Sequence, residues 1–166
     1  MRTLVAQPLG DVAFAPFGEV IAGACGGQAI NGGTARRHEA VADLDLVRAH
    51  GRAVLAVYDA QARHFPFDAL ELERHALSDQ VFLPLGAAQR CVILVAPPGE
   101  RPLAAHCRAF LGDGSQGVRL RAGTWHHPLL ALQDGRWAVL ERRARDATPD
   151  CEVHRLDEAL RLVLPG

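Results

Sequence analysis

The sequence predicts an all-β protein folded as a small barrel or sandwich, with a few short helices. Short apolar runs recur along the chain and are separated by Gly, Pro, Asp or Asn, which is the spacing that antiparallel barrels and sandwiches produce. These runs are residues 53–58, 81–85, 91–96, 128–132 and 137–140. Asp134-Gly135, between the last two runs, predicts a tight hairpin turn.

Three segments depart from this strand pattern. Residues 40–49 and 103–111 are expected to be short helices or irregular structure. Residues 156–164 carry apolar side chains at helical spacing and are followed by Pro165-Gly166, so they predict a C-terminal helix.

Length and composition limit the possible functions. A chain of 166 residues predicts one domain, residues 1–166, which can bury about two thirds of the surface that the unfolded chain exposes. The net charge of -1 and the pI near 6.7 provide no basic field for nucleic acid or for an anionic membrane, so a small neutral or anionic ligand is favoured. All 18 basic residues are arginine, which excludes lysine Schiff-base chemistry and a P-loop lysine.

The cysteines and the N-terminus favour a reduced, cytoplasmic setting. Cys25, Cys91, Cys107 and Cys151 are widely separated, which argues against a zinc ribbon or a dithiol redox motif. The N-terminal apolar stretch is too short for a signal peptide, and nowhere do 18 apolar residues follow one another. We therefore expect a cytoplasmic protein without a membrane segment.

Two polar stretches can contribute to one site. In a strand, Glu71, Glu73 and His75 project from the same face, where they either face solvent or line a cavity. Gly123-Thr-Trp-His126 provides a turn followed by an imidazole at the start of a later apolar run. Two such clusters on separate strands can meet inside a small barrel.

Other candidates allow two interpretations each. Gln80 either joins the polar site or satisfies a backbone group at a hairpin. Asn31 opens a glycine-rich loop that leads to Arg36 and Arg37, which are either solvated or bind a ligand carboxylate in bidentate fashion at the barrel mouth. In a strand, His126 and its neighbour His127 point to opposite faces, so one of the two faces the cavity.

The two polar stretches resemble the paired motifs of cupin domains. Cupins carry His-x-His, four residues and then Glu on one hairpin, and Pro-x-Gly-x-x-His on a later strand. Glu73, His75 and Gln80 resemble the first motif, and Gly123 to His126 resembles the second. The chain is more closely similar to one cupin family, the ureidoglycolate lyases. The similarity extends from about Phe14 to Val153 and rests on residues 71–75, 80–84, 108–110, 116–118, 125–129 and 150–153.

This resemblance implies a cupin-like double-stranded β-helix, or jelly-roll barrel, that cleaves ureidoglycolate to glyoxylate and urea in allantoin breakdown. It implies His75, His126 and Glu73 as catalytic residues, and Asn31, Arg36, Arg37 and Gln80 as substrate-binding residues. Glu73, His75, Gln80 and His126 are the expected ligands of a divalent metal such as Ni, Zn, Mn or Fe. A homodimer is expected. The alternatives are a non-catalytic cupin that binds a small carboxylate, and another metal-dependent cupin enzyme.

Overall fold

The fold is described from a computed structural model for residues 1–23, 26–41 and 43–166. Cys25 lies outside these residues. The elements are β1 (Arg2–Val5), β2 (Gln7–Pro8), α1 (Asp11–Phe14), β3 (Gly18–Ile21), β4 (Gln28–Ile30), β5 (Ala35–Arg37), β6 (Arg52–Ala60), β7 (Phe67–Arg74), β8 (Gln80–Pro84), β9 (Cys91–Ala96), β10 (Arg108–Leu111), β11 (Gly117–Leu120), β12 (Trp125–His126), β13 (Leu130–Ala131), β14 (Gly135–Arg143) and β15 (Glu152–Val163), with 3-10 turns at Asn31–Gly33 and Ala104–His106.

The strands form two large sheets and a hairpin. The larger sheet has the order β1-β15-β7-β12-β9-β10-β2, with β13 also paired to β9. The second sheet has the order β3-β11-β8-β14-β6, and β4 pairs with β5. Pairing is antiparallel except where β1 meets β15 and where β2 meets β10.

The N-terminal segment nearly closes the larger sheet into a barrel. A single residue, Ala6, separates β1 at one edge of this sheet from β2 at the other, and its N–H donates to the carbonyl oxygen of Val163 at 2.9 Å. One continuous stretch of chain therefore joins both edges of this sheet. The predicted all-β, cupin-like architecture is confirmed.

Strand β9 separates two hydrophobic cores. Val92 and Leu94 pack in one core with Trp125, whereas Cys91 and Val95 pack in the other. The second core also contains side chains of the five-stranded sheet, including Phe82, Val118, Trp137 and Val139. Because both faces of β9 are buried, its sequence is a continuous apolar run rather than an alternating one.

The predicted C-terminal helix is wrong, because residues 152–163 form the long strand β15. β15 pairs with β7, and its register shifts between Arg155 and Leu160. Leu156 and Leu160, four residues apart on either side of this irregularity, both reach the same core. A bulged strand thus reproduces the spacing of an amphipathic helix.

The two segments expected to be either short helices or irregular structure contain no α-helix in their described residues. Residues 43–49 are irregular, which is one of the two alternatives, whereas residues 103–111 contain a single 3-10 turn and then strand β10. Asp134-Gly135 does not close a hairpin between paired strands, since β13 pairs with β9 and β14 pairs with β6 and β8. The turn instead carries the chain from one sheet to the other.

Among the described residues, no helix has the length and apolar character needed to cross a bilayer.

Candidate active site

Strand pairing brings the two predicted polar motifs together. Glu73, near the end of β7, lies directly opposite His126 of β12. The distance from His126 Nε2 to Glu73 Oε1 is 3.5 Å. His75 follows β7, and its ring stacks on the ring of His126 with centroids 5.5 Å apart. Glu73, His75 and His126 therefore form one cluster.

Backbone carbonyls orient both imidazoles. His75 Nδ1 lies 2.9 Å from the carbonyl oxygen of Asp150, and His126 Nδ1 lies 3.0 Å from that of Thr124. A carbonyl oxygen only accepts hydrogen bonds, so Nδ1 carries the proton and Nε2 of the neutral ring keeps its lone pair. Both Nε2 atoms are buried and have no hydrogen-bond partner within the described part of the chain. They are available to a ligand.

The loops that carry these carbonyls are themselves fixed. Asp150 forms an ion pair with the buried Arg142 and accepts a hydrogen bond from the N–H of Ala144 at 2.8 Å. The N–H of Gly123 donates to the carbonyl oxygen of His75 at 2.9 Å and links the two motifs directly. Gly123 has a φ of 83°, a left-handed conformation that favours glycine.

Cys151 is a member of the cluster that sequence analysis assigned no role. Its Sγ lies 3.5 Å from Glu73 Oε2. Potential ligand atoms of Glu73, His75 and Cys151 all lie within 4.8 Å of one another, so these three residues form a possible metal-binding group. The metal ligands expected from the sequence included Gln80 and His126 but not Cys151. The sequence feature that could have identified Cys151 is its position in residues 150–153, one of the stretches that carry the family resemblance.

Gln80 belongs to a second polar group on the five-stranded sheet. Glu141 of β14 accepts a hydrogen bond from the Tyr58 hydroxyl at 2.9 Å and lies 3.5 Å from Gln80 Nε2. Arg143 binds the other oxygen of this carboxylate through Nε at 3.1 Å and through a terminal nitrogen at 2.9 Å. Sequence analysis assigned no role to Tyr58 or Glu141. Each is a polar side chain on the inner face of an otherwise apolar strand, and this feature could have identified them.

The electrostatics of the cluster favour a neutral His75 and an ionised Glu73. Burial, together with the nearby His126, lowers the pKa of His75 below 6.5. Burial acts to raise the pKa of Glu73, but the close approach and the positive charge of protonated His126 hold it below 4.5. At neutral pH, His75 can therefore offer a lone pair while Glu73 is negative.

Two further groups, Tyr58 and Cys151, keep their protons at neutral pH. Burial raises the pKa of Tyr58 to about 12, with further contributions from the hydrogen bond and charge of Glu141. Burial and the neighbouring Glu73 raise the pKa of Cys151 to about 12. A cation bound beside Cys151 would favour its thiolate form.

Asn31, Arg36 and Arg37 form no hydrogen bond or ion pair with this cluster among the described residues. They lie on the exposed hairpin formed by β4 and β5. This hairpin follows β3, and β3 and β6 are the two edge strands of the five-stranded sheet. Arg36 donates to the Gly27 carbonyl at 3.2 Å, and Arg37 pairs with Glu39 at 3.0 Å. Within residues 26–41 and 43–166, no hydrogen bond or ion pair connects the three to the histidines, and their substrate-binding role stays a prediction.

The nearly closed barrel and its partly buried cluster of imidazole, carboxylate and thiol define a cupin-like enzyme. The family described as ureidoglycolate lyase matches residues 1–163. Proteins named ureidoglycolate lyase from Azotobacter vinelandii, Pseudomonas fluorescens and Pseudomonas syringae pv. tomato are 42%, 35% and 36% identical to this chain. Each alignment covers 99% of the chain and 98%, 98% and 96% of the respective relative. The chain belongs to the ureidoglycolate lyase family, as its motifs indicated.

Proposed function

We propose that this protein cleaves ureidoglycolate to glyoxylate and urea. Family membership over the whole chain supports this activity. The observation that carries it is the histidine pair beside Glu73, His75 and His126, whose Nε2 atoms are buried and have no hydrogen-bond partner among the described residues. Such groups can accept a proton from a bound substrate or donate one to it.

The reaction requires one proton to leave oxygen and one to reach nitrogen. His126 Nε2 accepts the proton of the substrate hydroxyl, and the electrons of that O–H bond form the carbonyl of glyoxylate. The C–N bond breaks, and its electron pair stays on the departing urea nitrogen. His126 then returns the proton to this nitrogen, so that atoms and charge balance. Glu73, 3.5 Å from His126 Nε2, stabilises the imidazolium formed in between.

A divalent metal fits the donors around Glu73. The unpartnered Nε2 of His75, the carboxylate of Glu73 and the sulfur of Cys151 would hold it. Imidazole and sulfur donors favour zinc, nickel or iron over manganese. When bound, such an ion acts as a Lewis acid toward carboxylate and hydroxyl oxygens of the substrate. The backbone contact of His75 Nδ1 is typical of a metal-ligating histidine.

Arg36 or Arg37 is proposed to bind the substrate carboxylate. Both guanidinium groups are exposed, and their contacts with Gly27 and Glu39 are exchangeable. Arg142, near the cluster, is already paired with Asp150. Three further expectations stay predictions: the small anionic substrate, the homodimer and the cytoplasmic location. Sedimentation of the purified protein tests whether it is a homodimer.

Turnover of ureidoglycolate by the purified protein tests the proposed activity. Urea and glyoxylate should be released in equal amounts. His75→Ala and His126→Ala should each lower turnover by about 10²- to 10⁴-fold, the loss typical of a missing acid or base. His64→Ala, at an exposed histidine, is the matched control and should retain full turnover.

Circular dichroism should show that the variants remain folded. A wild-type protein that binds glyoxylate without turnover would instead favour a non-catalytic cupin. Turnover near the wild-type rate in both histidine variants would exclude them from the chemistry.

A further inference from the structure

The orientation of the Gln80 amide is determined by Glu141. Both oxygens of Glu141 already accept hydrogen bonds, one from Tyr58 and the other from Arg143. Gln80 faces the oxygen that Tyr58 also contacts, at 3.5 Å. If the amide were reversed, its oxygen would face a carboxylate oxygen, and two acceptors repel each other. The NH₂ group of Gln80 therefore faces Glu141.

This orientation leaves the amide oxygen of Gln80 without a donor. Gln80 is only 4% exposed, and its Oε1 has no hydrogen-bond partner among the residues that the structure describes. A buried acceptor without a donor is unfavourable unless a ligand supplies one. The same condition applies to the Nε2 atoms of His75 and His126.

The Gln80 group and the histidine cluster face the same interior between the two large sheets. His126 lies directly opposite Val95, which packs in the second hydrophobic core. Gln80 and Glu141 each lie two residues from a member of that core, Phe82 on β8 and Val139 on β14, and so project from the same faces of these strands. One small ligand can therefore contact both groups.

We infer that Gln80 Oε1 accepts a hydrogen bond from an N–H of the ureido group, in the substrate and in the product urea. This inference rests on the proposed function. The substrate offers N–H donors only in its ureido group, and its hydroxyl proton goes to His126. Glu141 and Tyr58 are positioning residues that hold Gln80 in the accepting orientation. A site built around such an acceptor discriminates against ligands without a matching donor.

Product inhibition separates this assignment from a metal-binding role of Gln80. Urea carries N–H donors and glyoxylate carries none. In Gln80→Leu, the inhibition constant of urea should rise about tenfold, the effect of losing one buried hydrogen bond. The constant of glyoxylate should stay within about twofold, and bound metal measured by mass spectrometry should not change. Gln133→Leu, at an amide outside the pocket that binds the N–H of Arg90, is the matched control.

A double-mutant cycle tests the positioning role of Tyr58. Tyr58→Phe alone should raise the urea constant by about threefold, but should add little in the Gln80→Leu background, because Tyr58 acts through Gln80. A purely structural role would give independent effects. Glu141→Gln should behave as Tyr58→Phe does. If Gln80→Leu fails to fold, Gln80→Met removes the amide oxygen at similar volume.

Several outcomes would overturn the inference. One is an inhibition constant of urea that does not change in the Gln80 variants. Another is an equal rise in the inhibition constant of glyoxylate. A third is loss of bound metal, which would make Gln80 a metal ligand. Ligand-observed NMR with urea keeps the two proposals distinguishable. Urea binding that depends on Gln80 in a protein without turnover would refute the proposed function alone. Turnover combined with urea inhibition that is independent of Gln80 would refute this inference alone.

Discussion

At the scale of single residues, hydrogen bonds to backbone carbonyls determine what the site can do. The contacts of His75 with Asp150 and of His126 with Thr124 fix the tautomer of each ring. Each imidazole thereby keeps its Nε2 lone pair for a ligand. Neither carbonyl belongs to a residue that a motif search would select for chemistry.

Replacing Cys151 by serine should weaken metal binding. The thiol lies within ligand distance of the Glu73 and His75 donors, and a hydroxyl is a poorer donor for zinc or nickel than a thiolate. We expect affinity for Zn²⁺ or Ni²⁺ to fall at least tenfold in a chelator competition titration. Cys107→Ser, at a buried thiol in the hydrophobic core, is the control that should bind metal normally. Equal affinities in both variants would remove Cys151 from the ligand set.

At the scale of elements, two segments have properties that their local sequence does not reveal. The β4–β5 hairpin is a two-stranded sheet separate from both large sheets, and it carries the predicted carboxylate-binding arginines. β15 joins the barrel through a register shift against β7. Each gives one prediction.

Truncating the correct hairpin arginine should weaken substrate binding. Loss of a guanidinium-carboxylate pair costs about 2 to 5 kcal/mol, and lysine should not restore it fully because it lacks the planar fork. The effect should appear in KM at least as strongly as in kcat. Inhibition by glyoxylate and oxalate should be compared in wild type, Arg36→Ala and Arg37→Ala. Unchanged inhibition constants in both variants would place the anion site elsewhere. Arg121, two residues before Gly123 of the second motif, is then the next candidate.

A leucine on the core side of β15 should be important for stability. Leu160 is fully buried in the first core, and its truncation to alanine should reduce the free energy of unfolding by about 2 to 5 kcal/mol. Val153→Ala, at an exposed position of the same strand, should change it by less than about 0.5 kcal/mol. Urea denaturation measures both. Similar losses in the two variants would contradict the assignment of the buried face of β15.

At the scale of the whole molecule, burial of ionisable groups makes stability depend on pH. Burial, with an additional effect of neighbouring positive charge, lowers the pKa values of His75 and His127 below 6.5. Below about pH 6.5, the unfolded chain therefore binds more protons than the folded one. The pKa values of Glu19 and Glu73 are held below 4.5, since positively charged partners outweigh the effect of burial.

The free energy of unfolding should consequently fall in two stages as the pH decreases. It should be nearly constant between about pH 7 and 8 and decrease below about 6.5, as the histidines become protonated on unfolding. It should decrease further below about 4.5, where the carboxylates lose their stabilising contribution. Urea denaturation midpoints of chelator-treated protein from pH 8 to 4 measure both stages. A midpoint that stays constant down to pH 5 would contradict the histidine contribution.

The sequence by itself determined the fold class and the histidine pair. Short apolar runs indicate strands wherever they occur, and β9 has the bounds that its apolar run predicts. The two cupin-like motifs identified Glu73, His75 and His126 because their spacing is local to each motif. Family membership followed from the same residues.

The tertiary structure decided which distant groups meet. Cys151 joins Glu73, and Glu141 joins Tyr58 and Gln80, across separations of 61 to 83 residues. The register shift in β15 turned an apparent helix into a strand. Periodicity reports only which face of an element is apolar. Strand pairing and register, set by long-range hydrogen bonds and core packing, determine which polar side chains share the pocket.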